Sequence, residues 1–140
     1  MLYDSKSRKT KILIIEEDET TFQVKKCIAK VLEALPPMEL FHAKDSSEAL
    51  TMIDQIKPDV VVLEHDNKDE QDLLIDSLAP NHPPVMCCTE DKISADKKFS
   101  FDKSVNYIPK SESIDGIHQT LMLATALGTK TSGKPSKALH

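Results

Sequence analysis

The stretch Lys11-Ile12-Leu13-Ile14-Ile15-Glu16-Glu17-Asp18-Glu19 decides the architecture, because four successive aliphatic residues are halted by four successive acids. A half-exposed strand alternates apolar and polar side chains, whereas one that is apolar at every position is buried on both faces, the habit of parallel sheets. The same signature returns in Asp59-Val60-Val61-Val62-Leu63, ended by Glu64, His65 and Asp66. Less pure versions occur at 38–43, at Val85-Met86-Cys87-Cys88 before Thr89-Glu90-Asp91, and at 105–108 before Pro109-Lys110.

Between these strands the apolar period lengthens to that of a helix. Over 20–35, Val24, Cys27, Ile28, Val31, Leu32 and Leu35 form one stripe, expected to face the core, while Lys25, Lys26, Lys30 and Glu33 lie elsewhere. Pro36-Pro37 stops that helix. Asp45 and Glu48 are spaced as a capping box for a second helix carrying Ala49, Leu50, Ile53 and Ile56 inward and ending before Pro58. A short helix is predicted over 70–78. A short or frayed one is expected over 93–104, where Ile93, Ala95, Phe99 and Phe101 fit neither period well. Ser111 or Ser113 caps the last helix, with Ile114, Ile117, Leu121, Ala124 and Leu127 toward the core and Gly128 as its terminator.

Strand and helix alternating in this way predict an α/β fold: a doubly wound five-stranded parallel sheet, flavodoxin-like, with helices on both faces. One domain is expected over 11–128, with a polar extension at 1–10 and a polar tail or linker stump at 129–140. A chain of 140 residues, 39% hydrophobic and 29% charged, can bury one core. A net charge of -5 and a lone arginine, Arg8, argue against nucleic acid as a partner. No apolar run approaches the roughly 20 residues that cross a bilayer, and the N-terminus lacks a signal-peptide core, so no membrane contact and a cytoplasmic location are expected. Cys27, Cys87 and Cys88 read as small apolar residues of a reduced interior.

In a doubly wound sheet the functional crevice lies beyond the carboxyl ends of the strands. Five carboxylates (Glu16, Glu17, Glu64, Asp66 and Glu90), the Thr89 hydroxyl and the Lys110 ammonium are expected to converge there. Their order along the chain resembles the receiver domains of two-component response regulators, of the chemotaxis-regulator kind. That family pattern is an acid pair after the first strand, an aspartate after the third, a Thr or Ser after the fourth and a lysine after the fifth. Here Ile12-Leu13-Ile14-Ile15-Glu16-Glu17, Pro58-Asp59-Val60-Val61-Val62-Leu63-Glu64, Pro84-Val85-Met86-Cys87-Cys88-Thr89 and Tyr107-Ile108-Pro109-Lys110 match in turn, and Glu48-Ala49-Leu50 fits the start of the second helix. The resemblance implies that Glu17, with Glu16, would be the acids of a Mg²⁺ site that includes Glu64. It puts Glu64 in the phosphoacceptor position, Thr89 and Lys110 as the groups that bind phosphoryl oxygens, and Tyr107 as the switch aromatic. Asp66, two residues beyond Glu64, shares its side of the strand.

Several departures from the pattern bear on function. Glu64 replaces the family's aspartate and is one methylene longer, and displacing a nucleophile by roughly 1 Å can lose on the order of a hundredfold in rate. Glu90 stands where a small residue usually leaves a path to the acceptor. The segment between Glu64 and Pro84 lacks the Pro and Gly that shape the family's loop and is shorter. Ser111 follows Lys110 in place of the usual Pro, so a cis peptide there is not expected.

Two unit charges about 4 Å apart repel by roughly 4 kcal/mol at an effective dielectric near 20, so Lys110 alone cannot neutralise the acids. Either a divalent cation or protons on some carboxylates must make up the balance. The reading that follows is an atypical, non-enzymatic receiver that signals without phosphorylation. It would meet a protein partner, such as a histidine kinase or a second copy in a homodimer, through the fourth helix, fifth strand and fifth helix expected from the sequence. The alternative is a working phosphoacceptor, taking a phosphoryl group from a histidine kinase on Glu64 or Asp66 with Mg²⁺. A third possibility, a flavodoxin-like enzyme or cofactor binder, is disfavoured because Gly116, Gly128 and Gly133 are the only glycines and none follows an early strand.

Overall fold

The computed structural model describes residues 9–31, 37–64, 67–90, 92–93 and 97–132, with the side chains of 130–132 excepted. Five parallel strands, β1 (Thr10–Ile15), β2 (Met38–Ala43), β3 (Val60–Leu63), β4 (Val85–Thr89) and β5 (Val105–Pro109), form one sheet in the order β2-β1-β3-β4-β5. The α-helices are α1 (Glu19–Val31), α2 (Ser46–Ile56), α3 (Lys68–Ser77) and α4 (Ile114–Ser132). The predicted doubly wound architecture is the one observed, and each strand falls within a residue of its expected position.

The pleat divides the interior into two layers, as expected for strands buried on both faces. Ile12, Ile14, Val60, Val62, Met86, Cys88 and Ile108 face Phe22 of α1 and Ile117, Leu121, Ala124 and Leu127 of α4. Leu13, Ile15, Val61, Leu63, Val85 and Cys87 face Ala49 of α2 and Leu74 of α3. Asp45 caps α2 by accepting from the Glu48 amide at 2.9 Å, while the Glu48 carboxylate accepts from Lys44 N at 2.7 Å. The expected box is therefore present, shifted by one residue on its return side.

Three expectations about the helices are corrected. First, α1 is turned relative to its apolar stripe: Val24 and Val31 are 48% and 71% exposed and Cys27 is exposed, whereas Phe22 and Lys25 are buried. Leu32, Leu35 and Pro36 lie outside the described residues. Phe22 fixes the rotation by stacking on His42, ring centroids 4.4 Å apart at 11°.

Secondly, Gly128 does not end α4, which continues to Ser132, and Ile114 at its start is exposed. Gly128 instead lets the helix lie close to the sheet, since a Cβ there would stand 3.0 Å from Thr10 Cγ2 and 3.1 Å from Asp59 Cβ. Of the two candidate caps, Ser113 serves, accepting from Gly116 N at 3.0 Å.

Thirdly, the described residues between β4 and β5 include no α-helix. Buried Asn106 organises residues 97–104 instead: its Oδ1 accepts from Ser100 N at 2.8 Å and its Nδ2 donates to Ser100 O at 3.0 Å. Local side-chain bonds of this kind compete with helix formation. Ala95 lies outside the described residues, as do 1–8 and 133–140.

Candidate functional site

The strand order reverses between β1 and β3, the place where doubly wound folds build their sites. Ile15 pairs with Leu63 in register, so Glu16 and Glu64 are the next residues on neighbouring strands. Their main chains remain tied to the sheet: Glu64 N donates to Ile15 O and Glu16 N to Ala43 O, both at 2.9 Å. Glu16 follows Ile12 and Ile14, and Glu64 follows Val60 and Val62, in pleat alternation, which turns both side chains into the layer covered by α1.

There they are buried, at 7% and 6% exposure. The group that meets them is Lys25 of α1, itself only 4% exposed. Its ammonium pairs with Glu64 Oε1 and stands 3.4 Å from Glu16 Oε1. Glu64 Oε2 accepts from the Cys88 thiol at 3.7 Å, and Glu16 Oε2 from Asp18 N at 3.1 Å. Lys110 Nζ donates to the main-chain carbonyl of Glu64 at 3.3 Å, and Lys110 N to Thr89 O at 2.8 Å.

The electrostatics follow from burial. Desolvation pushes the Lys25 ammonium below its ordinary pKa, and the Glu16 carboxylate pulls it back up. Burial likewise pushes the Cys88 thiol up to about 12, which keeps it a donor toward Glu64. Lys25, Lys110, Glu16 and Glu64 contribute two positive and two negative groups to this edge. The buried pair Glu16 and Glu64 thus faces a second lysine besides Lys110, a group that the choice between a divalent cation and carboxyl protons did not include.

The other expected site residues differ in their exposure. Glu17 and Glu90 are exposed, Thr89 is half-buried at the end of β4, and Asp66 lies outside the described residues, as does His65. Tyr107 alternates into the opposite layer beside α3, with the Lys97 ammonium 4.6 Å from its ring centroid and its hydroxyl pKa raised chiefly by burial. Of the four expected carboxylates among the described residues, the fold buries Glu16 and Glu64 together at this edge.

A divalent cation does not fit the site as built. The Glu64 carboxylate is committed to Lys25 and Cys88, and the described residues contain no group of three or more His, Cys, Asp or Glu side chains able to surround a metal. Mg²⁺ prefers octahedral oxygen coordination and retains several waters, and a buried carboxylate facing an ammonium offers neither.

Lys25 is the residue that the sequence reading passed over. Phe22, Lys25, Ile28 and Ala29 form the inward face, and the signal that could have found it is Phe22 three residues before a lysine that two acids at adjacent strand ends require.

Several solved structures share the fold. The response regulator PhyR from Brucella abortus superposes with a TM-score of 0.65 at 17% identity, covering 95% of this chain and 54% of that one. The phosphorylated cyanobacterial phytochrome response regulator RcpA gives 0.62 at 21%, covering 89% and 96%. The signal receiver domain of a putative LuxO repressor protein from Vibrio parahaemolyticus gives 0.61 at 17%, covering 89% and 96%. The fold is that of receiver domains. This chain spans about half the length of PhyR, so its counterpart there is one part of a larger protein. No protein-family model matches the sequence, and no curated protein matches it as a relative. Among the described residues, no helix is long and apolar enough to cross a membrane.

Proposed function

We propose that this chain is a receiver-like signalling module that works through protein contacts and without phosphorylation or catalysis of its own. The observation that carries the reading is the state of the Glu64 side chain: buried, with one oxygen on Lys25 and the other on Cys88. An acceptor carboxylate must reach an incoming phosphoryl group in line, with its charge free to attack. A dehydrated carboxylate paired to an ammonium meets neither condition. A version in which Glu64 imitates a phosphorylated side chain, holding Thr89 and Lys110 through its carboxylate, is not favoured, since the two Glu64 carboxylate oxygens meet Lys25 and Cys88.

The partner is a protein, met through β5, α4 and the 97–104 segment, where Phe101, Ile114 and Met122 are exposed at 41%, 64% and 41%. A histidine kinase or a second copy of the chain would suit that surface. Incubation with acetyl phosphate and Mg²⁺, followed by intact-mass measurement, tests the reading, and the expected spectrum contains no phosphoryl adduct. An adduct abolished by Glu64→Gln would overturn it, as would one abolished by Asp66→Asn, which would move the acceptor to Asp66.

A further inference from the structure

We infer that Lys25 is a built-in counter-cation, its ammonium holding the place beside the Glu16 and Glu64 carboxylates that a divalent ion would otherwise take and so closing the site to Mg²⁺. The inference concerns the site on which the proposed function rests, yet the two fail separately, one by cation binding and the other by phosphoryl adducts.

Three observations support it. The ammonium touches both acids, at Glu64 Oε1 and at 3.4 Å from Glu16 Oε1, and so bridges the ends of β1 and β3 as a metal between them would. Its side chain is 5% exposed, against 83% for Lys68 in the surface pair with Asp72. Lys25 is therefore held in place and is not a solvated lysine that swings in at no cost.

Its helix also gives it no way out. Phe22 stacks on His42, and Ile28 and Ala29 pack on the core one turn later, so the inward face of α1 is pinned before and after Lys25. A metal that displaced the ammonium would leave it buried without a partner or lift α1 from the sheet. Either outcome opposes metal binding. A tethered cation also competes at high effective concentration, set by the helix and independent of the ions in solution. Occupation by Lys25 fixes the charge at this edge, whereas a metal-dependent site would lose and regain its charge balance with the cation supply.

The test measures cation binding by the whole chain, with Mn²⁺ followed by water-proton relaxation and Mg²⁺ by its effect on the melting temperature. The wild-type chain is expected to show no saturable Mn²⁺ site and no Mg²⁺-dependent rise beyond that of a matched monovalent salt. Lys25→Ala, which leaves two buried acids and a space between them, is expected to bind Mn²⁺ at least about tenfold tighter than wild type and to melt higher with Mg²⁺. Adding Glu64→Gln to that variant should remove the gain. A saturable wild-type Mn²⁺ site that Glu64→Gln abolishes would overturn the inference. Should Lys25→Ala be unfolded without metal, Lys25→Gln is measured in the same way. Refolding of either variant on addition of Mg²⁺ supports the inference, and no gain from either cation in both variants overturns it.

Discussion

Replacing Lys25 by Met keeps an unbranched stem one atom shorter while removing the ammonium, and the structure sets the expected cost. Glu64 Oε1 loses the ion pair, and Glu64 Oε2 keeps only the Cys88 thiol at 3.7 Å, a weak donor. Glu16 fares better, because its Oε2 retains the Asp18 amide at 3.1 Å. Removing one partner of a buried pair costs roughly 3 to 5 kcal/mol, a large part of the about 5 to 15 kcal/mol that holds a typical domain folded. Urea unfolding followed by circular dichroism would read it as a fall in midpoint at unchanged slope.

The sign of the pH dependence is fixed as well. In the variant, the Glu64 carboxylate is buried without its paired ammonium, so burial favours its protonated form in the folded state. The unfolded state then releases its proton first as pH rises, so the deficit should be full near pH 7 and shrink as the pH falls toward 4. Removing both charged partners, as Lys25→Met with Glu64→Met, should recover much of the loss, with a coupling energy of about 2 kcal/mol. A cost for Lys25→Met below about 0.5 kcal/mol, the range of an exposed lysine, would refute the burial argument outright.

Other consequences are as direct. With the Cys87 and Cys88 thiols pushed up to about 12, roughly one molecule in ten thousand carries either as thiolate at pH 8, so a thiol reagent should modify exposed Cys27 rapidly and the other two only after denaturation; rapid modification of all three in the folded protein would contradict it. Gly128→Ala gains up to about 1 kcal/mol of helix propensity but drives a methyl to 3.0 Å from Thr10 Cγ2 and 3.1 Å from Asp59 Cβ, and overpacking of about 1 to 3 kcal/mol should win, giving a lower melting temperature. A higher one would show that α4 can move off the sheet. Asn106→Ala leaves the Ser100 amide and carbonyl without their buried partner, a loss of about 1 to 3 kcal/mol, and should speed amide exchange and proteolysis over 97–104 while leaving β1 to β3 protected.

The sheet was legible because strands buried on both faces leave an unambiguous mark. Ile12 to Ile15 and Val60 to Leu63 are apolar at every position, and both ladders form where that pattern places them. The order of acids, Thr89 and Lys110 along the chain likewise pointed to the edge at which Glu16, Glu64 and Lys25 meet.

Side-chain direction was less accessible, for a physical reason visible in α1. Two faces compete there: Val24, Cys27 and Val31 score higher by hydropathy, but the face bearing Phe22, Lys25, Ile28 and Ala29 is the one buried. Hydropathy assigns each residue a value by itself, whereas Lys25 is stabilised inside by acids that arrive from two other strands. Its burial is a property of the assembled edge. The same holds for Asn106, whose partners on the preceding loop exist only once that loop has folded over β5.

The charge argument, made for five carboxylates at the strand ends, asked for more positive charge than Lys110 supplies. Taken one step further, it asks which lysine the fold can carry to the ends of β1 and β3. The helix that follows β1 crosses back over the sheet, and of Lys25, Lys26 and Lys30 on α1 it is Lys25 that is buried there. A buried pair of acids is thus a constraint on helix rotation as strong as an apolar stripe, because leaving either carboxylate without a partner costs as much as exposing several methyl groups.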